Sequence, residues 1–124
     1  MAKHLQTGKK GESLALSYLE SEGYQILVTN WRYRRSEVDI IAKENKILVF
    51  IEVKTRRDDY FGKPEVAVTK RKKQLLVDAG NAYMRKINHD WEIRFDIIAI
   101  VTRSENDVEI QHFKDAFFPG LDTP

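Results

Sequence analysis

The stretch from Glu37 to Lys54, Glu-Val-Asp-Ile-Ile-Ala-Lys-Glu-Asn-Lys-Ile-Leu-Val-Phe-Ile-Glu-Val-Lys, constrains this chain more than any other. Two apolar, β-branched runs flank a polar Glu-Asn-Lys, the pattern of a β-hairpin. Glu37 and Asp39 interrupt the first strand, and Glu52 and Lys54 interrupt the end of the second. Burying a carboxylate among Val, Ile and Phe is expensive unless a cation or another partner offsets the lost hydration. These acids need a partner, and a metal ion is the first candidate.

Hairpin parity sharpens the expectation. With Glu44-Asn45 at the tip, or with Lys43 to Lys46 as a four-residue loop, paired positions sum to 89. Glu37 then faces Glu52, and Asp39 faces Phe50 and lies diagonal to Glu52. Period-2 alternation puts Glu37, Asp39, Glu52 and Lys54 on one face, and Val38, Ile40, Ile51 and Val53 on the other. Diagonal neighbours are about 7–8 Å apart at the backbone, close enough for two carboxylates to share one ion. An odd loop length breaks the arrangement.

The flanking segments read as follows. Met1 to Gln6 is expected to fray, and Thr7 to cap a helix from about Gly8 to Glu22 that stops at Gly23. Leu14, Ala15, Tyr18 and Leu19 form its apolar stripe, and the spacing turns Glu12 inward. A first-turn glutamate also suits the helix dipole, but a dipole role does not require inward placement. Tyr24 to Tyr33 is a strand, ended by the turn Arg34-Arg35-Ser36. After Lys54 to Asp59 the segment Tyr60 to Glu65, with Gly62 and Pro64, reads as a loop. A second helix runs from about Thr69 to Ile87 with Leu75, Leu76, Ala79, Ala82 and Tyr83 buried and Lys72 on the inward side. Trp91 to Thr102 is a strand interrupted by Asp96, and Asp107 to Phe113 alternates like an edge strand. Trp31, Trp91 and the tyrosines are expected in the core. Helix, three strands, helix, two strands predicts an α/β fold, a mixed sheet with helices packed on its faces.

At 124 residues, 42% hydrophobic and 32% charged, the chain has the size and mixture of one globular domain, residues 1–124. It has no cysteine, which excludes disulfides, zinc-thiolate sites and cysteine nucleophiles. His4, His89 and His112 lack metal-ligand spacing. No run approaches a membrane span and no signal-peptide pattern opens the chain, so a cytoplasmic protein is expected. The net charge of +2 is uneven. Arg32 to Lys86 holds 15 Lys and Arg against 8 Asp and Glu, and the remainder holds 6 against 11. The basic half contains the hairpin, which suits a polyanionic partner as well as a solvated mixed surface.

Asp39 followed by Glu52-Val53-Lys54 supplies two hard oxygen ligands and an ammonium on adjacent strands. Magnesium or manganese suits such carboxylates, keeping water and phosphate oxygens in its other positions. The ion and Lys54 together would stabilise charge on a phosphate. The tripeptide alone is weak, because 10 Glu and 12 Lys in 124 residues give about one Glu-x-Lys by chance. A second copy, Glu44-Asn45-Lys46, sits at the turn and is read as meaningless. The weight rests on position: the end of an apolar strand with an aspartate on the strand before. The plainer alternative is that Glu52 and Lys54 simply pair at the sheet rim.

The pattern Asp39…Glu52-Val53-Lys54 resembles the PD-(D/E)XK nuclease superfamily, which includes restriction endonucleases and archaeal Holliday-junction resolvases. More closely, the chain resembles the small bacterial YraN family of endonuclease-like proteins. The matching stretches are Gly8 to Ala15, Asn30-Trp31-Arg32, Glu37 to Ala42, Val49 to Arg56, Phe61-Gly62 to Val68-Thr69, Lys72 and Arg94-Phe95-Asp96. The resemblance implies a restriction endonuclease-like mixed sheet of about five strands, with Asp39 and Glu52 as metal ligands and Lys54 as the catalytic lysine. By similarity to the resolvases, Glu12 joins both the catalytic set and the ligands. Ser36 departs from the family's usual glycine and puts the turn geometry in question. The expected function is a magnesium-dependent nuclease acting on DNA, branched DNA included. The alternative is an inactive nucleic-acid-binding module of the same fold beside a DNA-processing partner. A homodimer follows if both strands of a duplex are cut.

Arg32, Arg34, Arg35, Arg56, Lys70 and Lys72 are the candidate phosphate contacts, each with a solvated-surface reading beside it. Glu37 is read evenly as outer support or direct ligand. Asp96 is read as structural, paired with an arginine or satisfying backbone groups.

Overall fold

The computed structural model describes residues 2–57 and 69–116, with side chains from Lys10 onward. The order is α1 (Ala2–Ser21), β1 (Gln25–Tyr33), β2 (Ser36–Glu44), β3 (Ile47–Arg56), α2 (Lys70–Ile87), β4 (Ile93–Ser104) and β5 (Asp107–Phe113). The five strands form one sheet in the order β1-β2-β3-β4-β5. Only β3 and β4 run parallel, because α2 lies between them in the chain and returns it to the same end. The expected mixed sheet with helices on its faces is what the chain forms.

The sheet is buried on both sides, so its central strands are apolar almost throughout. β3 sends Leu48 and Phe50 to α2, where Leu76, Ala79 and Tyr83 receive them, and Val49 and Ile51 to Ala15 and Leu19 of α1. β4 divides likewise, with Phe95 and Ile97 towards α2 and Ile98 and Ile100 towards α1. Gly11 brings α1 against β3, since a Cβ there would run into the Thr55 hydroxyl. In α2 the buried residues are Leu76, Ala79, Gly80 and Tyr83, while Leu75 and Ala82 are half-buried. The stripe is rotated slightly from the predicted one because Gly80 admits the Phe50 and Phe95 rings.

Both helices end on local chemistry. In α1 the Gly23 N–H reaches the Glu20 carbonyl and the Tyr24 N–H the Leu19 carbonyl, with Gly23 at φ +90, a Schellman stop with Leu19 and Tyr24 both buried. The start differs from expectation: α1 already runs from Ala2, so Thr7 lies within it and is not its cap. For α2 the Thr69 hydroxyl accepts from the Lys72 N–H at 3.1 Å, and Asn88 closes the other end in the left-handed region. Thr69→Ala is expected to lower stability by about 1 kcal/mol, read as a shifted urea midpoint at unchanged slope.

Two sheet details move the candidate residues. The β2–β3 ladder pairs Ile40 with Ile51 and Glu44 with Ile47, so positions sum to 91 and the tip is Asn45-Lys46, not Glu44-Asn45. Asn45, at φ 55, takes the left-handed turn position that asparagine tolerates best among non-glycines. Strict alternation also fails at Val38, which joins Ile41 on the α2 side while Ile40 and Ala42 face α1. Opposite this point on β1, Asn30 sits between Thr29↔Ile40 and Trp31↔Val38 with φ 53. Trp91 is 52% exposed and not in the core, its indole N–H satisfied by the Lys46 carbonyl. Among the described residues no helix is long and apolar enough to cross a membrane. The predicted loop at Tyr60 to Glu65 and the C-terminal tail lie outside the described residues.

Candidate metal centre

The ladder between β2 and β3 ends at Ile40↔Ile51. One step further, Asp39 would face Glu52 across the pair, but the strands part there. The Val53 N–H, freed from the ladder, is taken up by Asp39 Oδ2 at 2.8 Å. This splayed end of the hairpin is the reason an aspartate belongs in an otherwise apolar strand. Burial, and next the charge of Glu52, push the Asp39 carboxyl up to about 7, against the downward pull of the Val53 N–H; Glu12 and Glu37 add to the rise.

Glu52 continues the α2-facing row of β3 and is 4% exposed. Its Oε1 takes Lys72 Nζ at 3.1 Å and Lys54 Nζ at 3.5 Å, so the inward placement expected for Lys72 ends on this carboxylate. Its Oε2 is buried, with no hydrogen-bond partner among the described residues. An orphaned carboxylate oxygen is costly, and native structures rarely leave one without a reason.

The other predicted site residues fall into two groups. Glu12, half-buried on α1, accepts from Asn30 Nδ2 at 3.3 Å, so its charge is felt at Asp39 while its carboxylate is held by another group. Glu37 is turned to Arg32 at 3.4 Å, an exposed ion pair worth little in stability. Of the four residues expected on one face, Glu37 is drawn to Arg32, while Asp39, Glu52 and Lys54 stay close at the open end of the hairpin. Among the described residues no group of three His, Asp or Glu side chains converges to hold an ion. Among the described residues the candidate centre offers two carboxylates, Asp39 and Glu52.

Of the predicted phosphate contacts, Arg34 and Arg35 form the two-residue turn between Tyr33 and Ser36, both exposed. Lys70 opens α2 on the surface, and Arg56 closes β3 with its guanidinium on the Thr55 carbonyl at 3.3 Å. Ser36, the position in question, is 6% exposed and donates to the Leu75 carbonyl at 3.0 Å, fixing the start of β2 to α2. Sequence reasoning missed Asn30, although an asparagine inside a run of β-formers was a visible signal.

A hard divalent cation fits this donor set. It would take the orphaned Glu52 Oε2 and the Asp39 carboxylate, and its charge would favour the ionised Asp39 that burial disfavours. Without an ion, Asp39 ties stability to pH with a definite sign. Its carboxyl is at 3.8 unfolded and about 7 folded, so between these values the folded state holds the extra proton. In chelator, raising the pH from 4 to 7 is expected to remove roughly 3 kcal/mol through this residue, with the small remainder lost by about pH 8. Urea midpoints across that range should show the slope in the wild type and lose it in Asp39→Asn.

A second polar assembly lies on the α1 side of the sheet. Asp96, 1% exposed, accepts from Arg94 Nε at 2.8 Å and Nη2 at 2.9 Å, from His112 Nε2 at 2.7 Å and from the Asp115 N–H at 3.0 Å. A carboxylate only accepts, so His112 carries its proton on Nε2, and in the neutral ring Nδ1 accepts from the Tyr18 hydroxyl at 2.9 Å. Arg94 Nη1 reaches Glu44 Oε1 at 2.8 Å and its Nη2 the Tyr24 hydroxyl at 2.7 Å. Burial would push Asp96 up, but the hydrogen bonds from His112 and Arg94 hold it below the usual range. The structural reading of Asp96 stands. Glu44, dismissed as part of a chance tripeptide, has a structural partner after all.

Fold and centre together define a class: an α/β protein built on a five-stranded mixed sheet, with an acidic pair and two lysines where its central hairpin opens. The chain belongs to the uncharacterised protein family UPF0102, whose model matches residues 11–100. A UPF0102 protein of Flavobacterium psychrophilum is 48% identical over 118 residues, 95% of this chain and 98% of that protein. One from Phocaeicola vulgatus is 42% identical over 98% of this chain and 99% of its own length. One from Thermodesulfovibrio yellowstonii is 44% identical over 92% and 97%.

Proposed function

We propose that this protein is a metal-dependent nuclease of the PD-(D/E)XK type, hydrolysing phosphodiester bonds in DNA with magnesium or manganese held by Asp39 and Glu52. The observation that carries the reading is the buried Oε2 of Glu52, unpartnered among the described residues, beside an aspartate whose carboxyl is pushed up to about 7. A bound magnesium ion would supply Lewis-acid polarisation of a phosphoryl oxygen and a more readily deprotonated water.

The chain's own residues do the rest. Asp39 is oriented by the Val53 N–H, so its second oxygen is left for a ligand. Lys54, 3.5 Å from Glu52 and only partly exposed, places an ammonium where a phosphate oxygen gains charge. Lys72 neutralises Glu52 from the α2 side and presents its outer face to solvent, where a nucleic-acid backbone would pass. Glu12 is a helper through its charge and Asn30. Arg32, Arg34, Arg35, Arg56 and Lys70 supply further positive charge for the backbone.

One observation favours the alternative of a binding module without cleavage. Glu12 is engaged by Asn30, and no third carboxylate completes the pair among the described residues. Manganese titration followed by thermal melting and by cleavage of duplex, single-stranded, flap and four-way-junction DNA separates the two. The nuclease reading expects stabilisation and cutting together. Salt-sensitive binding with neither sinks it and leaves the module.

A further inference from the structure

Beside the metal centre, α2 and the β1–β2 turn enclose a cavity of about 440 Å³, within the roughly 300–1,000 Å³ range of small-molecule sites. Arg34 and Arg35 enter it from the turn, Asp78, Asn81 and Arg85 from α2, and Tyr33 forms a wall. Three guanidinium groups against one carboxylate make it a place for an anion. None of the three is in an ion pair with a carboxylate among the described residues.

Two features say more than charge. The Arg34 guanidinium lies over the Tyr33 ring at 5.1 Å, a guanidinium-aromatic platform of the kind on which unpaired bases stack. Arg34 also holds φ 57, a left-handed conformation in which glycine or asparagine is cheaper, so the backbone is strained to place a guanidinium there. Asn81 adds donor and acceptor groups that can read a base edge. The cavity opens one turn along α2 from Lys72, and Asp78 and Asn81 lie about 9–14 Å from it along the helix axis. That is a few nucleotide steps from Glu52.

We propose that this cavity binds an unpaired nucleotide of the substrate, its phosphate on Arg34, Arg35 and Arg85 and its base against the Arg34–Tyr33 platform. The choice of a nucleotide over other anions rests on the nuclease reading of the neighbouring centre. Such a site would let the protein prefer branched or frayed DNA, which offers an unpaired base, over continuous duplex.

The test uses the full chain in chelator, titrated with thymidine 5′-monophosphate, inorganic phosphate, a single-stranded oligonucleotide and a blunt duplex. Nuclear magnetic resonance shifts at Tyr33, Asn81 and Arg85 locate the binding. The nucleotide is expected to bind at least about tenfold more tightly than phosphate. Arg34→Gly and Arg85→Ala should each weaken it about tenfold or more. Arg34→Gly should melt no lower than the wild type, because it relieves the left-handed strain, so its loss of binding is not a loss of folding. Phosphate bound as tightly as the nucleotide would overturn the proposal. So would variants that weaken single strand and duplex equally, which is the behaviour of an unspecific basic surface. No nucleotide binding in a protein that cuts DNA with manganese ends this inference alone; nucleotide binding in a protein that never cuts ends the nuclease reading alone.

Discussion

Asp39→Asn and Glu52→Gln are each expected to lower manganese-dependent cleavage by at least about 10³-fold, because a metal supplying several kcal/mol of transition-state stabilisation would lose a ligand. The two variants should differ in stability in a way that separates chemistry from folding. Asp39→Asn keeps an oxygen for the Val53 N–H at its 2.8 Å position and removes the repulsion from Glu52, so at neutral pH it should be more stable than the wild type in chelator. Glu52→Gln leaves Lys54 and Lys72 without their carboxylate and should be less stable than the wild type, by a limited amount because Lys72 reaches solvent. Lys54→Ala should reduce kcat by about 10²-fold with little change in KM, whereas Lys72→Ala should act mainly on KM. A protein more stable than wild type and unable to cut would place Asp39 in the chemistry. Full activity in Asp39→Asn would remove it.

The largest effect on stability belongs to Asp96. Asp96→Asn is expected to lower stability by about 3–5 kcal/mol, because a buried pair broken on one side leaves Arg94 with only the partly exposed Glu44 as counter-charge. For a chain of 124 residues that is a fall in Tm of roughly 10–20 °C. The pH signature is opposite in sign to that of Asp39. The folded Asp96 is held below its ordinary range, so its contribution is complete above pH 4 and is lost as pH falls through the folded value. Wild type and variant should therefore converge in acid and separate at neutral pH, measured by denaturant midpoints. Asp96 packs on the α1 side while Glu52 faces α2, so cleavage by the folded variant at low temperature should persist. A loss below 1 kcal/mol would mean that Arg94 is compensated by Glu44 and Tyr24 alone.

Much of the fold was legible because its signals are local. Gly23, Thr69 and the alternation of Asp107 to Phe113 mark their boundaries with chemistry that acts within a few residues. The hairpin was legible in parity but not in register. A tip moved from Glu44-Asn45 to Asn45-Lys46 shifts every pair by two, so the ladder ends at Ile40↔Ile51, one step before Asp39 would face Glu52. The change of face at Val38 was hidden, because the irregular backbone opposite it, at Asn30, stands on a different strand. The positions of Asp39, Glu52 and Lys54 were readable because each breaks an apolar strand, and the inward placement of Lys72 because it lies three residues before Leu75 on α2. Glu12 was placed on the correct helix, but its engagement by Asn30 was not readable. The cavity joins residues of the β1–β2 turn to others more than 40 positions away on α2, so no local pattern could reveal it.

The hydrogen bond between Tyr18 and His112 spans 94 positions, and that between Arg94 and Tyr24 spans 70. Contacts of such high sequence separation raise the contact order of a chain and form only after the intervening segments have been placed. The Asp96 assembly thus acts as a late latch joining the first helix to the last strand. Its interactions should be absent from the folding transition state, so Asp96→Asn is expected to speed unfolding while leaving the refolding rate nearly unchanged. Stopped-flow chevrons would show a raised unfolding limb over an unmoved folding limb. The latch would then govern how long a folded molecule survives more than how quickly it forms.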